Sequence, residues 1–135
     1  MGIASLTRTA LDKMGYKPGM SGFVRNRPEE LAALLPLSTE VLVPYPNLLI
    51  GFVSHVADVK PVLEHLQPLY ARGERLWLCY PKKSGAIVTD IDRDRGWNAL
   101  AEQGFIGVAQ ISLDQTWSAL RFRYRDEVRK LTRSF

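Results

Sequence analysis

The stretch that decides the fold runs from 48 to 80. It opens with Leu48-Leu49-Ile50-Gly51-Phe52-Val53, continues through Val59, Val62, Leu63, Leu66, Leu69 and Tyr70, and closes with Leu76-Trp77-Leu78-Cys79-Tyr80. The two end runs are almost continuously apolar, as in strands covered on both faces. Between them the apolar residues recur at i, i+3, i+4 and i+7, so one stripe of a helix faces the core, with Gly73 just past its end. Pro61 is expected in the first turn of that helix and Pro68 at its close. Strand, helix and strand in this order predict a parallel pair joined by a right-handed crossover.

Working toward the N-terminus, Lys17-Pro18-Gly19 reads as a turn into a strand near 21–25. Before it, Ser5 is expected to cap a helix with Leu6, Ala10, Leu11 and Met14 on one face and Gly15 as its stop. After it, Asn26-Arg27-Pro28-Glu29-Glu30 reads as a helix start, with Leu31, Leu34 and Leu35 as the buried stripe and Pro36 as the end. Val41 to Val43 is a short strand candidate. Only four residues, Pro44-Tyr45-Pro46-Asn47, join it to the next strand, so the pair is antiparallel or the candidate is marginal.

Toward the C-terminus, 94–103 reads as a helix with Trp97, Leu100 and Ala101 inward, closed by Gly104 in a left-handed cap over which Phe105 folds. A strand over 106–113 follows. From Trp117 to Tyr124 residues alternate as in a half-exposed strand, and Asp114-Gln115-Thr116 leaves room only for a tight hairpin. The prediction is a single α/β domain over 1–135, a small three-layer sandwich with a mostly parallel sheet ending in an antiparallel hairpin. Residues 1–20 form its helix and lead-in, and 125–135 form a basic tail.

Composition sets outer limits. At 135 residues, with 46% hydrophobic and 24% charged residues, the chain is one domain's length and excludes a disordered or low-complexity class. Cys79 is the only cysteine, which rules out an internal disulfide and a cysteine-built zinc site and points to a reducing, cytoplasmic compartment. The apolar run over 48–53 is far shorter than the roughly 20 residues of a membrane span, and the N-terminus lacks a signal-peptide core. The net charge of +4 resides in 121–135, where six cations face Asp126 and Glu127. The last strand should carry that tail to the edge of the sheet away from the candidate site, which disfavours a nucleic-acid partner. Metal is not expected either. Asp90, Asp92 and Asp94 imitate a calcium loop, but Arg95 and Ala101 stand where its glycine and glutamate belong.

Strands entering right-handed crossovers end at one edge of a sheet, where ligands usually bind. The polar residues expected there are Arg25 and Arg27 after the first strand, and Ser54 and His55 after the next. Lys82, Lys83 and Ser84 follow Tyr80, and Asp90, Arg93, Asp94 and Trp97 come from the following loop. Asp114, Thr116 and Trp117 turn the hairpin at the same edge. Arginines and lysines of this set would hold an anion, Asp90 and Asp94 would order Arg93 or cap the helix, and Trp97 or Trp117 would offer a flat wall. Two rival uses stay open. Asp90, Asp92, Asp94 and Asp114 could serve as acid and base. Alternatively, Trp117, Ala119, Arg121 and Arg123 could form an outward strand face that pairs with a protein partner or a second copy of the chain.

Tyr80-Pro81-Lys82-Lys83-Ser84, Thr89-Asp90, Arg93-Asp94 with Trp97, and the run from Thr116 to Arg123 resemble an uncharacterised bacterial domain-of-unknown-function family. More distantly, the segment from Leu66 to Leu78 and the terminal hairpin resemble the later half of a Rossmann-like S-adenosylmethionine methyltransferase. That resemblance implies a Rossmann-like sheet. Where such enzymes carry a glycine-rich turn after the first strand, this chain has Arg25-Asn26-Arg27-Pro28, and the segment for an acidic ribose partner stops at Val43-Pro44. The expectation is therefore no cofactor, and a non-catalytic or weakly catalytic domain that binds an anionic small molecule or partner group at the carboxyl edge of its sheet.

Overall fold

A computed structural model describes residues 8–128. Its elements are α1 (Ala10–Lys13), β1 (Gly22–Arg25), a 3-10 turn (Glu29–Leu31), β2 (Leu48–Phe52), α2 (Val56–Leu66), a second 3-10 turn (Gln67–Leu69), β3 (Arg75–Pro81), α3 (Asn98–Glu102), β4 (Phe105–Ser112) and β5 (Trp117–Tyr124). The five strands form one sheet in the order β1-β2-β3-β5-β4. β1, β2 and β3 pair in parallel, while β5 lies antiparallel between β3 and β4. Four of the five strands thus run the same way, the mostly parallel Rossmann-like sheet expected from the sequence. A terminal hairpin supplies the reversal.

Two apolar layers cover the sheet. On one face Leu49, Val53, Leu76, Leu78, Leu120 and Phe122 pack with Val59, Val62, Leu63 and Leu66 of α2 and Leu100 of α3. On the other, Val24, Leu48, Ile50, Trp77, Cys79 and Trp117 pack with Ala10 and Met14 of α1 and with Leu31 and Leu35. The alternation Leu49/Ile50, Leu76/Trp77 and Ala119/Leu120 sends successive side chains into opposite layers. α2 can lie close to β2 because Gly51 carries no side chain. A Cβ there would stand 2.6 Å from Val62 Cγ1 and 2.8 Å from Leu66 Cδ1.

Several local expectations are corrected. α1 is capped by Thr9, whose Oγ1 accepts from Asp12 N at 3.0 Å while Asp12 Oδ2 accepts from Thr9 N at 3.1 Å. Ser5 and Leu6 lie outside the described residues. The helix expected between Pro28 and Pro36 is one 3-10 turn followed by irregular turns, although Leu31 and Leu35 are buried as expected. Its first bonds close as i→i−3, Leu31 N to the Pro28 carbonyl at 3.0 Å and Ala32 N to the Glu29 carbonyl at 3.1 Å, and Pro36 disfavours the helical conformation at Leu35. Val41 to Val43 is an exposed loop, not a strand; the contact with the sheet comes earlier, at Ser38, which pairs in parallel with Phe23 on the outer side of β1. Pro61 is the sixth residue of α2 rather than part of its first turn.

α3 begins at Asn98, so Asp94 does not start it. Asp92 Oδ1 instead accepts from Asp94 N at 2.8 Å, and Gly96, at φ +102°, turns the chain into the helix. This local Asx turn competes successfully with helix initiation because it satisfies the same N–H groups. β5 is interior, with Trp117 and Ala119 buried, so it offers no free edge to a partner. Its half-exposed alternation holds only from Arg121 onward.

Candidate functional site

β1, β2, β3 and β4 all end at one edge of the sheet, and β5 starts there. The chain leaves β1 over the α1 face to touch the outer side of β1 at Ser38, then returns to β2 and leaves over the α2 face to β3. Successive crossovers therefore diverge between β1 and β2. Such a divergence opens a crevice outside the carboxyl ends of the two strands.

The twelve candidate residues divide into three groups. Arg25 and Arg27 stand at the end of β1. Arg25 is half-buried, and its Nε is buried with no hydrogen-bond partner among the described residues. Asn26 follows in the left-handed region at φ +61° and sends Arg27 back toward the chain. Arg27 Nη1 donates to the carbonyls of Leu35 at 2.8 Å and Leu37 at 3.1 Å, tying down the irregular segment.

Lys82, Lys83, Ser84, Asp90, Asp114, Thr116 and Trp117 form the second group, around the exits of β2 and β3. Lys82 Nζ donates to Ser112 Oγ at 2.6 Å, and its N–H donates to the Thr116 carbonyl at 2.8 Å. Lys83 Nζ donates to the Thr89 carbonyl at 3.1 Å, while Thr89 Oγ1 donates to the Ser54 carbonyl at 2.6 Å. Asp90 Oδ1 accepts from Val56 N at 2.9 Å, giving a partner to one of the first N–H groups of α2. Asp58 Oδ2 accepts from Ser54 N and His55 N, each at 3.0 Å. Asp114 Oδ1 accepts from Thr116 N and Trp117 N, both at 2.8 Å, and so closes the hairpin. Trp117 is a core residue, edge-on to Phe52 with ring centroids 5.0 Å apart, and its Nε1 is buried without a partner among the described residues. Ser84 is exposed in the turn after β3.

The third group, Arg93, Asp94 and Trp97, lies elsewhere. It lines one side of an open groove of about 500 Å³ between α3 and β4, shared with Gln110, Phe122 and Arg125. Trp97 Nε1 donates to the Asp92 carbonyl at 2.8 Å, and its ring packs against Tyr80 and Phe122. Gln110 Nε2 donates to Tyr80 Oη at 2.7 Å, and burial raises the Tyr80 phenol above its ordinary pKa. Gln110 and Arg125 were not singled out from the sequence, because their place in the groove depends on β4 being the sheet edge. This hollow is on the flank of the sheet, whereas Arg25, which has no carboxylate partner among the described residues, stands at the strand ends.

Two chemistries are weakened by this geometry. Cys79 is fully buried and its thiol is pushed well up by desolvation, which hides and disarms it as a nucleophile. Among the described residues no three His, Cys, Asp or Glu side chains gather in a group able to hold a metal ion. None of the helices among them is long and apolar enough to cross a membrane.

No protein-family model matches the chain, so the resemblance to an uncharacterised family has no such support. Nor does any curated protein match it. Solved structures do. The chain is similar to ribosomal protein L11 methylase from Lactobacillus delbrueckii subsp. bulgaricus, at 15% identity and a TM-score of 0.48, over 92% of this chain and 66% of that one. It is also similar to a chain of a fibrillarin/Nop5p complex, at 10% identity and a TM-score of 0.42, over 78% of this chain and 61% of the other. The chain thus spans less than two thirds of the length of either, and at these identities the likeness is one of fold.

Proposed function

We propose that this chain is a small Rossmann-like binding domain that takes an anionic small molecule, or an acidic group of a partner, at the carboxyl edge of its sheet. The observation that carries the reading is Arg25. It ends β1 where the crossovers diverge, and among the described residues its buried Nε has no hydrogen-bond partner and no carboxylate pairs with it. A buried donor without an acceptor is costly, and an oxyanion fits a guanidinium fork in two-pronged fashion. Lys82 and Lys83 stand at the exit of β3, two strands from β1, and would add positive potential along the same edge.

The aspartates support binding over acid–base catalysis. Asp90, Asp92 and Asp114 each accept from backbone N–H groups that shape a helix start or a turn, and exposed Asp94 pairs with Arg93 at 3.4 Å. Adenosylmethionine does not suit the turn. Two arginine side chains occupy the place of a glycine-rich approach, Arg27 is spent on backbone carbonyls, and the segment that would carry an acidic ribose partner is reduced to the Ser38 pairing.

The test is a thermal-shift series with pyrophosphate, adenosine monophosphate and citrate on the parent and on Arg25→Met. A ligand at a hundred times its Kd stabilises by about 2.7 kcal/mol. The parent should show such a rise with at least one of these anions, and Arg25→Met should lose it. An equal rise in both proteins, or none in the parent, refutes the assignment.

A further inference from the structure

β5 sends Arg121 and Arg123 to the α1 face of the sheet, near its amino edge. Trp77 pairs with Arg121 and Leu76 with Phe122, so the next step of the register brings Arg75 and Arg123 onto adjoining strands. Arg75 also reaches this face, since its Nε would lie 2.5 Å from a Cβ placed on Gly15 beside α1. Three guanidinium groups therefore share one surface. Like charges set across neighbouring strands repel.

Their neutralisation is incomplete among the described residues. Arg75 Nη1 lies 3.4 Å from Glu74 Oε1, and Arg121 Nη2 donates to the Glu74 carbonyl at 3.3 Å. Glu127 Oε1 is 3.9 Å from Arg123 Nη2, but the Glu127 carboxylate already accepts from Tyr70 Oη at 2.8 Å, Gly73 N at 2.6 Å and Tyr124 N at 2.8 Å. Arg72, further along this edge, pairs with Asp126. The Nε atoms of Arg121 and Arg123 are both buried with no hydrogen-bond partner among the described residues. Desolvation, and then the charges of Arg123 and Arg75, lower the pKa of Arg121. Every unsatisfied group in this cluster is a donor, so the missing complement is an acceptor carrying negative charge.

We propose that Arg75, Arg121 and Arg123 form an oxyanion site for a phosphate group on the α1 face at the amino edge of the sheet. It is separate from the Arg25 site, since the seven residues of β3 place about 23 Å between the two edges. Arginine suits the role because its planar fork offers phosphate several parallel donors that one lysine cannot. The phosphate could be free or belong to a nucleic-acid backbone.

The experiment uses the full chain labelled with ¹⁵N and follows arginine Nε–Hε resonances, assigned with Arg121→Met and Arg123→Met. Inorganic phosphate is titrated at constant ionic strength, with chloride as the control, and a short single-stranded oligonucleotide is titrated separately. Phosphate should shift the Arg121 and Arg123 signals together. Either variant should weaken that response about ten- to a hundred-fold, the loss expected for a charge-assisted hydrogen bond. Without phosphate, each variant should melt no lower than the parent, because methionine keeps the apolar stem and relieves repulsion.

An oligonucleotide that moves the same signals at lower concentration than phosphate assigns the group to a nucleic-acid backbone; a response to phosphate alone assigns it to a free anion. Signals that stay still with both probes, or a response equal in parent and variants, overturn the proposal. So does a fall in melting temperature in both variants that phosphate does not influence, since that marks the trio as purely structural. Arg25→Met should leave these shifts intact, which separates failure here from failure at the carboxyl edge.

Discussion

Replacing Gly51 by alanine tests the contact that seats α2 on the sheet. The added Cβ would meet Val62 Cγ1 at 2.6 Å, Leu66 Cδ1 at 2.8 Å and Leu78 Cδ2 at 3.1 Å. Comfortable carbon contacts lie at about 3.5–4.0 Å, so two methyl groups must each retreat by about an ångström. Neither has free space, because Val62 is 3% exposed and Leu66 and Leu78 are fully buried. Overpacking of this kind costs about 1–3 kcal/mol. Against it stands about 0.5–1 kcal/mol gained by removing glycine's chain freedom from a strand interior. The net expectation is a loss of about 0.5–2 kcal/mol, or roughly 2–8 °C in Tm for a domain of this size.

Urea unfolding of the parent, Gly51→Ala, Val62→Ala and the double variant measures it directly. Val62→Ala makes room for the new methyl group, so Gly51→Ala should cost at least about 0.5 kcal/mol less in that background. A stabilised Gly51→Ala with additive behaviour in the cycle would show that α2 moves away from β2 freely, and would refute the close-packing argument. Because Gly51 is the register partner of Arg25, a displaced helix should also weaken anion binding at the strand end.

Two further outcomes follow from the hydrogen bonds. Burial, and then the bond to Glu127, raise the Tyr70 phenol far above its ordinary pKa of 10.0. The unfolded chain therefore loses this proton first on alkalinisation, and the stabilisation from Tyr70, complete below about pH 10, declines as pH rises beyond it. The stability gap between parent and Tyr70→Phe in urea should narrow from pH 9 to pH 11, and a constant gap would contradict this. Asp90→Ala should cost about 0.5–2 kcal/mol, as loss of a helix cap does, and should speed hydrogen exchange at the Val56 amide. Unchanged exchange there would assign the N–H to another acceptor.

How much of this was legible in the sequence depends on the range of the forces involved. β2, α2 and β3 follow from apolar runs long enough to have only one packing solution, and the bounds of β5 match the alternation read from Trp117 to Tyr124. The gathering of strand ends also follows from the handedness of crossovers. What misled was local likeness. Val41-Leu42-Val43 has the composition of a strand, but it lies beyond the single pairing at Ser38 and has no neighbouring strand to bind. Asp94 resembles a helix start, yet the Asp92 carboxylate takes its N–H first. The alternation of β5 reads equally well for a strand with one exposed face and for a central strand bearing arginines at one end. Only the pairing order distinguishes them. The same holds for the unpartnered Nε atoms of Arg25, Arg121 and Arg123, which depend on which carboxylates the fold brings near.

The placement of β5 bears on biosynthesis. This strand follows both of its neighbours in the chain yet lies between them, so β3 and β4 leave the ribosome before the segment that joins them. At about 5–20 residues per second, the hairpin return takes on the order of a second to appear. Throughout that interval the apolar β3 has its edge bare, exposed to any other extended chain within reach. Premature termination before residue 117 would make that exposure permanent. Truncated products should therefore aggregate and be degraded rather than accumulate as a folded half.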